Sequence, residues 1–253
     1  MAPMFPPHSP IRTVLGEGAL LLGGGRALLM QVAHPSVAAG VAEHSDFARN
    51  PFARLARTLE ASYGMVFGTE EEARDIAQSV TAVHERVRGP GYHATDPELI
   101  FWVHATLIDT ALQIHTRFLR PLGPGEAEAF YRDSMILAEL FGCPRQLQPP
   151  TLAAFSTYTR EMVDTIKVSD TGRALARDIL HARLPWPAPL ALAVVRELTV
   201  GLLPRPLREE FGLGWDRGRK RVLLATQAAS RVASALVPAA VRRVPVTLLA
   251  SAA

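Results

Sequence analysis

Apolar residues recur at intervals of three and four along most of residues 51–181, the spacing of an α-helix that buries one face. Thr69 and Glu72 have the spacing of a capping box, and Gly89-Pro90 follows the apolar run, which predicts a helix over residues 69–88. No run alternates between apolar and polar residues well enough to predict a sheet. The pattern therefore predicts an all-α fold of many helices.

The most apolar helix is predicted to begin after an N-cap at Asp96, with Pro97 in its first turn, and to end near Arg120. Further helices are predicted over residues 124–141, 151–167 and 171–181. A proline-rich connection, LPWPAPL, then leads to two or three more helices separated by LPRPL and GLGWDRG. Because these last helices are apolar enough to need the first part for burial, we interpret residues 1–253 as one domain, with core motifs in 11–181 and a helical extension over 189–253.

Composition narrows the class of protein. The net charge of +3 is spread along the chain without a basic tract, so we expect no nucleic-acid partner. A single cysteine, Cys143, excludes an internal disulfide and a cysteine-rich metal site, which favours a reducing compartment. The N-terminus MAPMFPPHSP lacks the order of a signal peptide, and the apolar stretch over residues 19–42 is interrupted by polar residues. We therefore expect a cytoplasmic protein without a transmembrane span, and we leave peripheral membrane contact and the oligomeric state open.

Two histidines lie in predicted helices at positions that matter for chemistry. His84 falls on the face formed by Ile76, Val80, Val83 and Val87, and it is interpreted either as a metal ligand or as a core histidine that is hydrogen-bonded to a carbonyl. His104 lies in the most apolar helix and His115 follows on the same face. The residues alone favour a structural role for His104, in a buried network with Asp109 or Thr106.

Arginines form a second group of candidates. Arg54, Arg57 and Thr58 fall on one helical stripe, which suits binding of carboxylates or of an oxygen species but is also typical of a solvated face. The preceding segment holds the possible acids and bases His34, Glu43 and His44, which serve equally well as helix caps. Gly23-Gly24-Gly25 is expected to let two helices pack closely or to break one. No HExxH, paired-cysteine, P-loop or GxSxG motif is present.

Three segments together resemble one known family: GGGRALLMQVAHPSVAAGVAEHSDF, RLARTLEASYGMVFG and HERVRGPGYHATDPELIFWVHATL, in this order. They are similar to the family of the oxygenase MpaB and the bacterial rubber oxygenase, or latex-clearing protein, over about residues 11–181, and the chain resembles its short bacterial members. The resemblance implies a globin-like all-α core that holds haem b, with a histidine as the proximal iron ligand and O₂ as co-substrate.

The same resemblance assigns the site residues. Arg54-Leu-Ala-Arg57-Thr58 matches the motif RxxKT except that arginine replaces the lysine, and the iron ligand maps to His84, with His104 as the runner-up. Since a guanidinium is a poor ligand, an open or water-filled distal side is expected, with Arg54 and Arg57 donating hydrogen bonds and Thr58 supporting them. Arg26 and Arg54 are assigned to cofactor binding, and His34, Glu43 and His44 to proton transfer.

The resemblance predicts an oxygenase that uses O₂ to oxidise or cleave an apolar, small organic substrate. Two other classes stay open at this point. One is a haem-binding sensor or carrier without turnover, and the other is a metal-free helical protein whose histidines are structural. The absorption spectrum and oxygen consumption of the purified chain separate the three.

Overall fold

The computed structural model describes residues 2–44, 51–181 and 188–243, with the backbone alone at 51–56 and 188–192. The N-terminal part holds α1 (Pro10–Leu15), a 3-10 helix (Gly18–Gly23), α2 (Gly24–Ala33) and α3 (Pro35–His44). Next come α4 (Pro51–Phe67), α5 (Glu70–His84), β1 (Arg88–Gly89) and β2 (Tyr92–His93). The middle holds α6 (Pro97–Phe118), α7 (Pro124–Leu140), a 3-10 helix (Arg145–Leu147), α8 (Leu152–Thr165) and α9 (Asp170–Leu180). The extension holds α10 (Ala188–Leu202), α11 (Arg205–Glu210), α12 (Arg217–Leu236) and α13 (Ala239–Arg242).

The all-α prediction is confirmed, and the helices that begin at strong caps begin where they were expected. Thr69 and Glu72 form both hydrogen bonds of the capping box at the start of α5, and the Asp96 side chain accepts a hydrogen bond from the Glu98 amide at the start of α6. Local side-chain chemistry alone decides these two starts.

Two predictions about local structure were wrong. The helix predicted to run to residue 88 ends at His84, because the chain turns there into the antiparallel pair β1–β2, with Gly91 at a φ of +79° in its turn. The extension holds four α-helices in its described part instead of two or three. Pro185 and Pro187 of the proline-rich connection lie outside the described residues.

The glycine triplet both breaks a helix and permits close packing. The 3-10 helix ends and α2 begins at this triplet, so two helical segments meet there. A Cβ atom on Gly25 would lie 2.2 Å from the Thr199 hydroxyl of α10, and one on Gly23 would lie 2.5 Å from the Thr110 methyl of α6. These contacts hold α2 and the 3-10 helix close to both neighbours.

The long helix α6 lies at the centre of the described structure. It packs against α2, the 3-10 helix before α2, α7, α8 and α12. One buried apolar cluster joins α2 to the extension, because it contains Leu29 and Trp102 together with Leu203 and Leu207. The extension therefore packs on the preceding helices. No helix among the described residues combines the length and hydropathy that a bilayer span needs.

Candidate active site

Helices α4 and α5 form a helical hairpin around the short turn Gly68-Thr69, and they pack closely. A Cβ atom on Gly64 would lie 2.5 Å from Cδ1 of Ile76, so only glycine permits this approach. Arg54 lies 14 residues before Gly68, and His84 lies 15 residues after Thr69. At about 1.5 Å of rise per residue both positions are about 21–23 Å from the turn. The hairpin therefore brings the two predicted motifs to the same level.

The surroundings of His84 differ from the expected core face. Ala73 and Ala77 are the buried residues of α5, whereas Val83 is 58% exposed and Val80 and His84 are only half-buried. The prediction that Val83 faces the core was wrong, because α5 packs along the row of small residues that lets α4 approach. His84 thus lies at the edge of the fold and not in its core.

On the neighbouring helix α4, Arg57 is exposed and Thr58 is half-buried. The Thr58 carbonyl accepts a hydrogen bond from the Ser62 hydroxyl, at 2.7 Å. The side chain of Arg54 lies outside the described residues. An exposed Arg57 suits contact with a charged group that comes from outside the packed core.

Helix α3 is fastened to the segment that follows His84. The Tyr92 hydroxyl donates a hydrogen bond to Glu43 at 2.6 Å, and His44 Nε2 lies 3.1 Å from the Arg88 carbonyl. Desolvation and the Glu43 carboxylate raise the pKa of Tyr92 to about 12. Glu43 and His44 are therefore engaged with β1–β2, the segment that continues from the His84 helix.

His34 caps the end of α2 and lies near Asp96, which follows β2 and begins α6. Its ring is half-buried, and Nδ1 is buried without a hydrogen-bond partner among the described residues. Burial lowers the pKa of His34, and the charge of Asp96 at the start of α6 partly opposes this shift. His84 lies at the end of the α4–α5 hairpin that is opposite its Gly68-Thr69 turn. We call this region around β1–β2, with His34, Glu43, His44 and His84, the hairpin end of the molecule.

His104 lies away from the hairpin end, in the middle of α6. It is 7% exposed and forms a hydrogen bond with the Ser134 backbone, while Nε2 has no partner among the described residues. Burial lowers the pKa of His104 to about 4, so the imidazole is neutral at neutral pH. A neutral ring with one nitrogen bonded and the other unpartnered is the form that binds a metal.

The predicted network of His104 with Asp109 or Thr106 was wrong. The Thr106 hydroxyl donates to the Val103 carbonyl, and Asp109 pairs with Arg26 instead. The third histidine, His115, lies 2.9 Å from the Arg120 carbonyl through Nδ1, which closes the end of α6. Each of these polar groups has a nearer partner than His104.

Arg26 is almost completely buried, at 2% exposure, and sequence reasoning missed its role. Its guanidinium donates to Asp109 at 2.5 Å, to the Thr110 hydroxyl at 2.6 Å and to the Leu202 carbonyl at 2.9 Å. These bonds join α2 to α6 and to α10. The sequence did contain a signal for this role, because Arg26 and Asp109 each interrupt an otherwise apolar run. That pattern is typical of a buried ion pair.

The described histidines and arginines include the kinds of donor that an iron porphyrin would need. Haem iron needs one nitrogen from the protein, which the half-buried His84 or the unpartnered Nε2 of His104 can supply, and arginines suit its propionates. A non-haem oxygenase iron needs two histidines and a carboxylate together. Within the described ranges, no group of three or more histidine, cysteine, aspartate or glutamate side chains could hold a metal ion.

The described structure is that of an all-α protein, and the family of the chain is shown by its sequence match. Residues 11–235 match the family model of the catalytic domain of the ER-bound oxygenase mpaB/B' and rubber oxygenase, and the chain belongs to this family. No curated protein and no solved structure matches the chain. The match reaches through α11 and nearly to the end of α12, so most of the extension is part of the family domain.

Proposed function

We propose that this protein is a haem b-dependent oxygenase that uses O₂ to oxidise or cleave a small, apolar organic molecule. The observation that carries the proposal is the match of residues 11–235 to an oxygenase catalytic domain, and the helical hairpin α4–α5, which contains the backbone of Arg54 and His84, is consistent with it. The cytoplasmic location expected from the single cysteine stays a prediction.

In this proposal His84 holds the iron, and His104 is the alternative. His84 is half-buried at the edge of the fold, so its ring is not enclosed by the packed core. His104 has the better ligand chemistry, because its ring is neutral and its Nε2 unpartnered, but it is enclosed by packed side chains. When bound, the haem supplies an iron atom that binds and activates O₂.

The protein's own groups at the hairpin end orient charges and protons. The Arg57 guanidinium would donate hydrogen bonds to a haem propionate or to another anionic ligand, and Thr58 beside it would support this contact. His34 is the best-placed proton carrier, because burial keeps it neutral and its Nδ1 is unpartnered. The Glu43 and His44 side chains form hydrogen bonds with β1–β2, so in this proposal they contribute by holding that segment in position.

The test is expression with an adequate supply of haem, followed by absorption spectroscopy and an oxygen electrode. We expect a Soret band, and oxygen consumption when apolar organic candidates are added. A Soret band with no oxygen uptake for any candidate would instead indicate a sensor or carrier. Absence of a Soret band would indicate a helical protein whose histidines are structural, and would refute the proposal.

Arg57→Gln and the charge-matched control Arg132→Gln test the oxygen side of the site. Arg132 is exposed on α7, a helix that carries none of the predicted site residues. We expect Arg57→Gln to slow oxygen uptake about tenfold or more, since charged donors at an oxygen anion are worth at least about 1.4 kcal/mol. Equal rates for both variants would remove Arg57 from the mechanism.

A further inference from the structure

A cleft of about 850 Å³ lies between α6, α8 and the extension, far from the hairpin end. The Arg26–Asp109 pair lies at its inner side, and its apolar walls include Val163, Leu202, Trp215 and Leu223. Its volume falls within the range of small-molecule sites. Arg117 of this cleft lies 20 residues after Pro97, so about 30 Å of helix separates it from the start of α6.

The cleft carries more positive than negative side chains. Its lining contains Arg26, Arg117, Arg160, Arg205, Arg208 and Lys220, against Asp109 and Asp164. Two of the arginines are neutralised, because Arg26 pairs with Asp109 and Arg205 with Glu209. Among the described residues, the side chains of Arg117, Arg160 and Lys220 have no hydrogen bond or ion pair with a carboxylate.

Arg117 is the least exposed of these three cations. Its side chain is half-buried on α6. Burial lowers the pKa of Arg117, and the nearby charges of Arg26 and Arg208 lower it further, while Asp109 opposes the shift. Asp109 is already paired with Arg26, and Asp164, the other acid that lines the cleft, lies on α8, so a half-buried Arg117 would gain from a bound anion.

Neighbouring groups are held in place. Arg208 donates to the Leu203 carbonyl at 2.8 Å, and its guanidinium carbon lies 5.2 Å from the centre of the Trp215 ring. Trp215 packs on Gly201, where a Cβ atom would lie 2.4 Å from the ring. The positive charge and the aromatic wall are thus positioned before any ligand arrives, which lowers the entropic cost of binding.

We propose that this cleft binds an anionic amphiphile, a molecule with a carboxylate or phosphate head and an alkyl chain. Arg117 and Arg160 hold the head, because guanidinium groups bind both anions through paired hydrogen bonds. The alkyl chain lies along Trp215 and Leu223. The proposal is independent of the oxygenase proposal, since none of the hairpin-end residues lines the cleft.

The test is calorimetric titration of the full chain with four probes: dodecanoate, dodecyl phosphate, dodecanol and inorganic phosphate, each below its aggregation concentration. We expect saturable binding of at least one of the two anionic amphiphiles, and the stronger of them identifies the head group. Dodecanol and inorganic phosphate should each bind at least about tenfold more weakly, because dodecanol lacks the anionic head and inorganic phosphate lacks the alkyl chain. Equal binding of dodecanol, or no binding of either anionic amphiphile, would overturn the proposal.

The variant Arg117→Gln/Arg160→Gln should weaken binding of the anionic probe about tenfold or more, through loss of charged hydrogen bonds. Its charge-matched control is Arg132→Gln/Arg177→Gln, whose residues are exposed and lie outside the cleft. Should Arg117→Gln disturb the fold, Arg160→Gln/Lys220→Gln changes only exposed residues and should still weaken binding several-fold. Unchanged affinity in that folded variant would contradict a small-molecule site. Binding to vesicles that contain phosphatidic acid, with no binding of the soluble anionic probes, would contradict it as well.

Discussion

Replacement of Arg26 by methionine should destabilise the protein strongly. The change keeps most of the side-chain volume but removes three hydrogen bonds, to Asp109, Thr110 and Leu202, and leaves the Asp109 carboxylate, 18% exposed, without its cation. Loss of one partner of a buried ion pair costs about 3–5 kcal/mol, and the partial exposure of Asp109 places this case near about 3 kcal/mol. That is a large part of the stability of an ordinary domain.

The assay is urea unfolding followed by far-UV circular dichroism, extended to a double-mutant cycle. Arg26→Met/Asp109→Leu removes the stranded carboxylate, so it should be about 1–2 kcal/mol more stable than Arg26→Met alone. Arg74→Met breaks an exposed pair with Glu70 on α5 and should cost less than about 1 kcal/mol. A loss below about 1 kcal/mol for Arg26→Met, or a double variant no more stable than the single one, would refute this reasoning.

Three further predictions concern stability. The pKa of His104 is about 4 in the folded chain against 6.5 in the unfolded chain, so the unfolded chain binds the proton first. This group should contribute about 2 kcal/mol to the fall in stability of the haem-free chain from pH 8 to pH 5. His104→Gln should therefore lose about 2 kcal/mol less over this range, and an equal fall in both proteins would contradict the shift, since only the part due to His34 and His115, whose pKa values are also lowered by burial, should remain. Gly25→Ala should cost about 1–3 kcal/mol by thermal unfolding through its clash with Thr199, whereas Gly125→Ala, with open space around it, should cost nothing; equal effects would contradict the close packing. Thr69→Ala should cost about 1 kcal/mol in urea unfolding, and an unchanged midpoint would mean that the capping box contributes nothing.

The sequence predicts best what local chemistry decides. Thr69 and Asp96 mark the starts of α5 and α6 because a cap needs only residues two or three positions away. The strands β1 and β2 escape prediction, since two residues each are too short to show an alternating pattern. Gly89, Pro90 and Gly91 were the local signals, and they indicate a turn without showing that strands flank it.

The partners of buried polar residues could not be predicted in the same way. Arg26 and Asp109 are 83 positions apart, and only the packing of α2 on α6 brings them together. His104 is much nearer to Asp109 along the chain than Arg26 is, and for this reason the sequence analysis assigned Asp109 to His104. For the candidate site, resemblance supplied the residues, and the structure added the common level of Arg54 and His84 and the engagement of Glu43 and His44 with β1–β2.

The central claim is that a histidine at the end of α5 holds a haem iron beside the arginine motif of α4. The most direct measurement is the Soret spectrum of His84→Gly, expressed with adequate haem and titrated with imidazole, beside His104→Gly as the matched variant. We predict that His84→Gly loses the native band and regains it when imidazole fills the vacated ligand position, while His104→Gly keeps it. An unchanged spectrum in His84→Gly, or loss and rescue in His104→Gly instead, would contradict the assignment of the iron to α5.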